Sequence, residues 1–214
     1  MSTPRSHRTY RSTLREEQAR ATRRRIVAAG HDLFVEQGYA ATTIDAIAAR
    51  AGVSRKTVFT SVGGKAVVLK LAFDWALAGD DEPVPMADRP EVKFMLEEPD
   101  PARVIERWAG LNGTIACRLA ALFDVLTVAA DGDPEAAELQ ATSEANRSNA
   151  ARIFVTRLAD VGGLRDDLSV ERAAAIAEIL MDPVPSRRLV LERGWTVDEY
   201  VGYVERMAKA AFLP

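Results

Sequence analysis

The sequence is poor in the residues that build disulfides, metal sites and catalytic centres. It has one cysteine, Cys117, and two histidines, His7 and His31, among 214 residues. A single cysteine excludes an internal disulfide and favours a reducing compartment. Two histidines argue against a multi-histidine metal site. No serine–histidine–aspartate or cysteine–histidine set is present, so we predict no catalytic residue, no metal and no cofactor.

Long apolar runs and strand patterns are also missing. No apolar run approaches the ~20 residues that cross a bilayer, and the polar N-terminus lacks the apolar segment of a secretory signal. No alternating apolar stretches flank Asn-Gly or Asp-Gly turns. Aromatic residues make up only 7% of the chain. We therefore expect an all-α, soluble, cytoplasmic protein without a membrane partner.

Charge is divided unevenly along the chain. Residues 1–70 carry 13 lysines and arginines against 5 acidic residues, whereas residues 71–214 carry 15 against 26. The overall net charge of −3 hides this difference. A basic first part indicates a polyanionic partner for that part alone.

Glycine and proline punctuation divides the chain into helices. We predict helices at about 16–37, 43–51, 55–62, 65–78, 90–97, 101–130, 134–161, 169–181, 186–193 and 196–212. The predicted organisation is a basic disordered arm (1–15), a helix-turn-helix domain (16–63), a connecting helix (64–79) and a larger helical ligand-binding and dimerisation domain (80–214).

Residues 42–65 have the spacing of a helix-turn-helix motif, whose second helix enters the major groove of DNA. That helix opens here with Ser54-Arg55-Lys56-Thr57. Cations in a first turn oppose the helix dipole by ~0.3–1 kcal/mol each, and DNA phosphates would remove this cost. The alternative is a solvated basic turn on an ordinary helical hairpin. The predicted DNA contacts are Thr42, Thr43, Arg55, Lys56, Thr57, Phe59, Thr60 and Lys65.

The Gly63-Gly64-Lys65 stretch also suggests a nucleotide-binding P-loop. A P-loop requires a further glycine where this chain has Phe59, and a serine or threonine where it has Ala66. No strand precedes the stretch, which excludes the motif. Lys65 instead falls in the first turn of the next helix, where free N–H groups favour an anion such as a DNA phosphate.

The order of signals over residues 16–75 resembles the DNA-binding domain of TetR-type transcriptional regulators. The residues that carry the resemblance are Phe34, Gly38-Tyr39, Thr42-Thr43, Ile47-Ala48, Ala51-Gly52-Val53-Ser54, Thr57 and Lys65. The segment LERGWTVDEY near the C-terminus is similar to the final-helix region of one branch of that family. The resemblance implies a homodimer, a divergent C-terminal ligand-binding domain and repression relieved by a small molecule.

The chain departs from the family where the recognition helix ends. Phe59-Thr60-Ser61-Val62 replaces a more aromatic stretch, and Gly64 removes a side-chain cap from the fourth helix. We therefore predict a different operator and a phosphate grip that depends more on Lys65, Thr42, Thr43 and the arm. Within the arm, Arg5, Arg8 and Arg11 either enter a minor groove or belong to a solubilising tail; both interpretations stay open.

The acidic C-terminal part offers candidates for a ligand and for a second subunit. The candidate ligand-binding residues are Trp108, Asn112, Phe123, Asp124, Asn146 and Asn149. Core packing for the aromatic rings, solvent exposure for Asp124 and inter-helix hydrogen bonds for the asparagines are the alternatives. The candidate dimer residues are Ala173, Ala177, Tyr200, Tyr203, Val204 and Met207, with an intramolecular helix pair as the alternative.

These observations support three functional hypotheses. The first is a homodimeric, ligand-responsive repressor that binds a pseudo-palindromic operator, with an unknown small molecule as effector. The second is an activator or dual regulator of the same fold. The third is a helical enzyme with an incidental basic half, which the missing catalytic and metal-ligand sets argue against.

Overall fold

The structure, a computed structural model, describes the backbone of residues 6–214 and side chains from residue 15 onward. This part of the chain is helical and contains no strand. The helices are α1 (Ser6–Ala41), α2 (Ile44–Ala51), α3 (Arg55–Ser61), α4 (Lys65–Ala78), α5 (Pro90–Glu97), α6 (Pro101–Ala130), α7 (Pro134–Asp160), α8 (Val170–Leu180), α9 (Pro183–Ser186) and α10 (Val197–Phe212). A 3₁₀ turn at Met86–Asp88 precedes α5, and a π-helical turn at Arg187–Leu191 follows α9. The predicted all-α fold is confirmed.

The first helix differs from its prediction at the N-terminus. It begins at Ser6 rather than near residue 16, so residues 6–15 are helical and the predicted disordered arm is wrong there. Residues 1–5 lie outside the described residues. At the other end, Gly38 has a φ of 81° and breaks the regular helix where the sequence predicted its end. Glycine suits this position because other residues rarely adopt a positive φ.

Capping residues set the start of the later helices. Ser54 accepts a hydrogen bond from the Thr57 amide, and Thr196 forms a capping box with Glu199. Thr43, rather than its neighbour Thr42, is the N-cap of α2 and accepts from the Ala46 amide.

Two hydrophobic cores hold the fold together. The first joins α1–α4 to the C-terminal half of α6 and the start of α7, through buried residues such as Phe34, Leu69 and Leu122. The second lies among α5–α8 and α10, around Trp108 and Phe154. The first core therefore crosses the predicted boundary between residues 79 and 80.

Helix α6 is the central element and contributes buried residues to both cores. It is long and apolar enough to cross a membrane by length and composition. In this fold it packs against α1, α4, α5, α7, α9 and α10, as the central helix of a globular protein does. Gly113 allows α6 to cross α10 closely, because a Cβ on Gly113 would lie 2.8 Å from Cγ2 of Val201 on α10.

Candidate DNA interface and its link to the C-terminal part

Helices α2 and α3 form a helix-turn-helix unit that packs on α1 and α4. Gly52 ends α2 with a φ of 65°, and its amide donates to the carbonyls at the end of that helix. Ile47 and Val58 are fully buried and anchor the two helices to α1 and α4. The turn and the buried pair hold the outer face of α3 in one orientation.

The outer face of α3 presents cationic, aromatic and hydroxyl groups to solvent. Arg55, Lys56, Phe59 and Thr60 are exposed, and the Phe59 ring is 48% accessible. The Arg55 guanidinium lies 5.7 Å from the centre of that ring and pairs with Asp45 of α2 at 2.7 Å. Asp45 therefore offsets part of the dipole penalty that pointed to DNA. The Lys56 ammonium makes no hydrogen bond or ion pair within the described part of the chain, so its charge is available to a ligand.

The hydroxyl groups of this face have partners within the unit. Thr57 shares a 2.8 Å hydrogen bond with Ser54, and the Thr60 hydroxyl donates to the carbonyl of Lys56. Thr43 is exposed and also caps α2. A phosphate that binds one of these hydroxyl groups would therefore share it with, or take it from, its present partner.

Thr42 is unsuitable as a DNA contact. It is 1% exposed, and its hydroxyl donates to the Gly38 carbonyl at 2.8 Å. The threonine therefore closes the turn between α1 and α2, and its predicted phosphate contact is wrong because the side chain has no access to solvent. Arg5 lies outside the described residues, as do the side chains of Arg8 and Arg11, so their roles stay predictions.

Lys65 is half-buried at the joint between the two parts of the molecule. Its ammonium donates to the Tyr39 carbonyl at 3.0 Å and lies 4.0 Å from the centre of the Tyr39 ring. The Tyr39 hydroxyl in turn donates to Asp133, the N-cap of α7, at 2.5 Å. Burial and this bond raise the pKa of Tyr39, and the same bond lowers the pKa of Asp133. Lys65 thus has a structural partner where the sequence predicted only a phosphate.

A second link joins α1 to the segment after α4. Arg20 and Arg24 both bind Asp81, at 2.7 and 2.5 Å, and Arg20 also binds Glu82. The Asp81 side chain is 9% exposed, and the two guanidinium groups hold its pKa well below the usual range. The residues that make these contacts lie 57 and 61 positions apart in the sequence. Local spacing in the sequence therefore gave no signal for them.

The six candidate ligand residues do not meet in one cavity. Trp108 is 1% exposed and stacks on Phe154 with ring centres 4.2 Å apart, which makes it a core residue. Asn112 is buried and donates to the Trp108 carbonyl. Asp124 is exposed and pairs with Arg187 at 3.0 Å, and Phe123 lies beneath Arg147. The alternatives of core packing and solvent exposure therefore describe these four residues.

The two asparagines border different grooves. Asn146 lines a groove of about 500 Å³ between α4 and α7. Asn149 lines a second groove of about 480 Å³ between α5 and α7, with Leu96 and Ile153. Only the first groove touches the helix that leads to the DNA-binding unit.

Most of the predicted dimer residues are buried by packing within the chain. Ala173, Ala177, Tyr200 and Val204 are buried in the second core, because α10 uses its apolar face against α6 and α8. Their prediction as interface residues is wrong for that reason, and the intramolecular alternative holds. Tyr203 is half-buried, and Met207 keeps 39% of its surface exposed. The exposed apolar residues nearby are instead Ile179 of α8 and Ile153 of α7, at 70% and 43%.

The arrangement is a helix-turn-helix unit joined to a larger helical C-terminal part. No group of three or more potential metal ligands occurs among the described residues. Residues 26–70 match the family described as bacterial regulatory proteins, tetR family. The match confirms, over these residues, the resemblance seen in the sequence. No curated protein sequence matches the chain.

Solved structures of low sequence identity share the fold over nearly their whole length. A Clostridium perfringens protein described as a regulator of fatty acid metabolism has a TM-score of 0.66 and 13% identity, over 89% of this chain and 99% of that chain. A Saccharomonospora viridis protein solved in complex with choline has a TM-score of 0.64 and 18% identity, over 90% and 97%. NalD, the secondary repressor of the MexAB-OprM multidrug efflux pump in Pseudomonas aeruginosa, has a TM-score of 0.62 and 18% identity, over 90% and 96%.

Proposed function

We propose that the protein is a cytoplasmic, homodimeric transcriptional repressor whose DNA binding responds to a small molecule. The observation that carries the proposal is the outer face of α3, where Lys56 and Phe59 stand exposed on a rigid helix-turn-helix unit. The tetR-family match of residues 26–70 supports it. Two copies of α3 would enter successive major grooves about 34–36 Å apart on a pseudo-palindrome.

The DNA-binding part of the proposal predicts a specific effect of Lys56→Ala. An operator is first selected from random duplexes with the full chain, and affinity is then measured by fluorescence anisotropy at several salt concentrations. Removing one phosphate-directed cation should weaken binding and reduce the salt slope by about one per contact. Lys93→Ala is the matched control, since Lys93 is an exposed lysine on α5, away from α3. Equal effects of the two variants would refute the assigned face, and selection of no duplex would refute DNA binding.

The homodimer part of the proposal assigns the contact to the exposed face of α7 and α8. Ile179 on α8 is the most accessible large apolar residue of these two helices, with 70% of its surface exposed, and a symmetric interface would bury it. We expect Ile179→Glu to convert a dimer into a monomer in light scattering at micromolar concentration, and to lower operator affinity. Val84→Glu, at a similarly apolar exposed site in the segment after α4, should stay dimeric. A dimeric Ile179→Glu would disprove this face, and a monomeric wild type would disprove the homodimer.

A further inference from the structure

The groove between α4 and α7 has an apolar floor and polar rims. Phe73, Leu77 and Leu139 lie in its floor, and Phe73 and Leu139 also belong to the first core. Its volume of about 500 Å³ is within the ~300–1,000 Å³ range of small-molecule sites. Hydroxyl and amide groups of α7 line the far rim: Thr142, Ser143 and Asn146. The groove thus offers both apolar contact and hydrogen bonds.

The charges around this groove are mainly negative. Glu135 and Glu138 line it from α7, and Lys70 and Asp74 line it from α4. Lys70 and Asp74 pair with each other at 2.5 Å, so they contribute little net field. The two glutamates have no cationic partner among the lining residues. An anionic ligand would be repelled here, whereas a cation with an apolar body would match both the floor and the rim.

The same groove lies between the two helices that hold the DNA-binding unit. Lys65 at the start of α4 binds the Tyr39 carbonyl, and Asp133 at the start of α7 binds the Tyr39 hydroxyl. Tyr39 follows α1's glycine break and packs on Phe34. One residue of the DNA-binding unit therefore touches both walls of the groove. A ligand that changes the spacing of the two walls would reach the DNA-binding unit through these two contacts.

We propose that the α4–α7 groove binds lipophilic monocations, with Glu138 and Glu135 as the anionic rim, and that occupancy shifts the DNA-binding unit through Tyr39. This inference rests on the ligand-responsive repressor proposed above and names its effector class. Binding is linked to DNA affinity only if the ligand prefers one arrangement of the two helices, and the linkage is then reciprocal.

Tetraphenylphosphonium and tetraphenylborate test the charge requirement, because the two ions have nearly the same size and shape and opposite charge. Titration of the full-length protein by calorimetry should show one phosphonium site per chain and no borate site. Glu138→Gln should weaken phosphonium binding about fivefold, as expected for loss of one partly screened charge. Glu144→Gln is the control, because Glu144 lies on the same helix outside the groove and should leave affinity unchanged. Equal binding of both ions, no binding, or equal effects of the two substitutions would overturn the site.

Tyr39→Phe tests the link to DNA. It removes the hydroxyl that binds Asp133 and keeps the ring beside Lys65. Phosphonium should lower operator affinity of the wild type several-fold, DNA should lower phosphonium affinity by the same factor, and Tyr39→Phe should reduce that factor. An unchanged factor would overturn the route through Tyr39. Failure of the proposed function is a separate result, since it appears as absent DNA binding before any phosphonium is added.

Discussion

Phe59 is the residue whose exposure most needs an explanation at the DNA face. The Phe59 side chain is 48% accessible, and the Arg55 guanidinium lies 5.7 Å from the centre of its ring. In a major groove the same ring has a matching partner, because thymine presents its C5-methyl group there. Phe59 has no hydroxyl group, which suits an apolar contact better than a phosphate contact.

We predict that Phe59 contacts a thymine methyl group. Replacing one contacted thymine by deoxyuracil removes only that methyl and should cost about 0.8 kcal/mol, or about fourfold in affinity. In the Phe59→Ala variant the same replacement should have no effect, which makes a double-mutant cycle in anisotropy titrations the appropriate measurement. Val35→Ala, at an exposed apolar site on α1, should keep the fourfold loss. A scan in which no thymine couples to Phe59 would contradict the contact.

Single residues were predicted best where one local rule decides their role. Ser54 and Thr196 cap helices because serine and threonine oxygens accept the free amides of a first turn. The same rule does not choose between Thr42 and Thr43, because either threonine can cap a helix. Only the burial of Thr42 and its bond to the Gly38 carbonyl show that Thr43 is the cap. Lys65 was placed correctly at a helix start, but its partner Tyr39 lies 26 positions away.

Two glycines of α6 allow a test at the scale of one element. A Cβ at Gly113 would lie 2.8 Å from Cγ2 and 3.2 Å from Cα of Val201, so backbone as well as side chain must move. We expect Gly113→Ala to lower the free energy of unfolding by about 1–3 kcal/mol. Gly110→Ala meets nothing within 4 Å and should stabilise by up to about 1 kcal/mol through helix propensity. Urea unfolding followed by circular dichroism measures both, and a stabilised Gly113→Ala would refute the close α6–α10 crossing.

Element boundaries followed from proline and glycine, whereas the partners of each apolar face did not. The bounds of α4, α5 and α6 agree with the sequence because Pro90, Pro101 and Gly79 leave little choice. The apolar face of α10 was equally visible, yet periodicity does not say whether it packs on another subunit or within the chain. In the structure this face packs on α6 and α8, so the predicted dimer residues Tyr200 and Val204 are buried within the chain.

At the scale of the whole molecule, the ion pairs of Arg20 and Arg24 on α1 with Asp81 predict a pH dependence. Both arginines lower the pKa of Asp81, and beside this link Arg89 lowers the pKa of Asp80 to about 2. A carboxyl group whose pKa is lowered in the fold stabilises the fold at pH values above its unfolded-state pKa, near 3.9. This stabilisation is lost as the pH falls through the folded-state pKa. Acid should therefore release the link between the two parts.

We predict that Asp81→Asn lowers the Tm by about 3 °C at pH 7 and that the difference from wild type shrinks as the pH falls toward 2. Asp88→Asn is the control, because Asp88 is exposed and only loosely paired with Lys93 at 3.7 Å. Thermal unfolding by circular dichroism across this pH range measures both variants. A difference that grows in acid would mean that Asp81 is not stabilised by its arginines in the fold.

Contacts across the whole molecule were the least predictable from sequence. Tyr39 and Asp133 are separated by 94 positions, and Arg20 and Asp81 by 61. Each pair joins residue types that are common on any surface, so nothing local marks them as partners. The charge division along the chain did indicate the half that carries the helix-turn-helix unit, because net charge reflects composition and needs no knowledge of contacts.

Helix α6 sets a rule for recombining this protein with others. Its C-terminal half supplies Leu119, Leu122 and Leu126 to the core under the DNA-binding unit, although these residues follow the unit by some fifty positions in the sequence. In a hybrid protein that takes only residues 1–79 from this chain, the DNA-binding unit would pack against the α6 residues of another protein. The unit that can be exchanged between regulators is therefore discontinuous in sequence. A domain exchange would succeed when the three leucines are transferred together with the segment that packs on them.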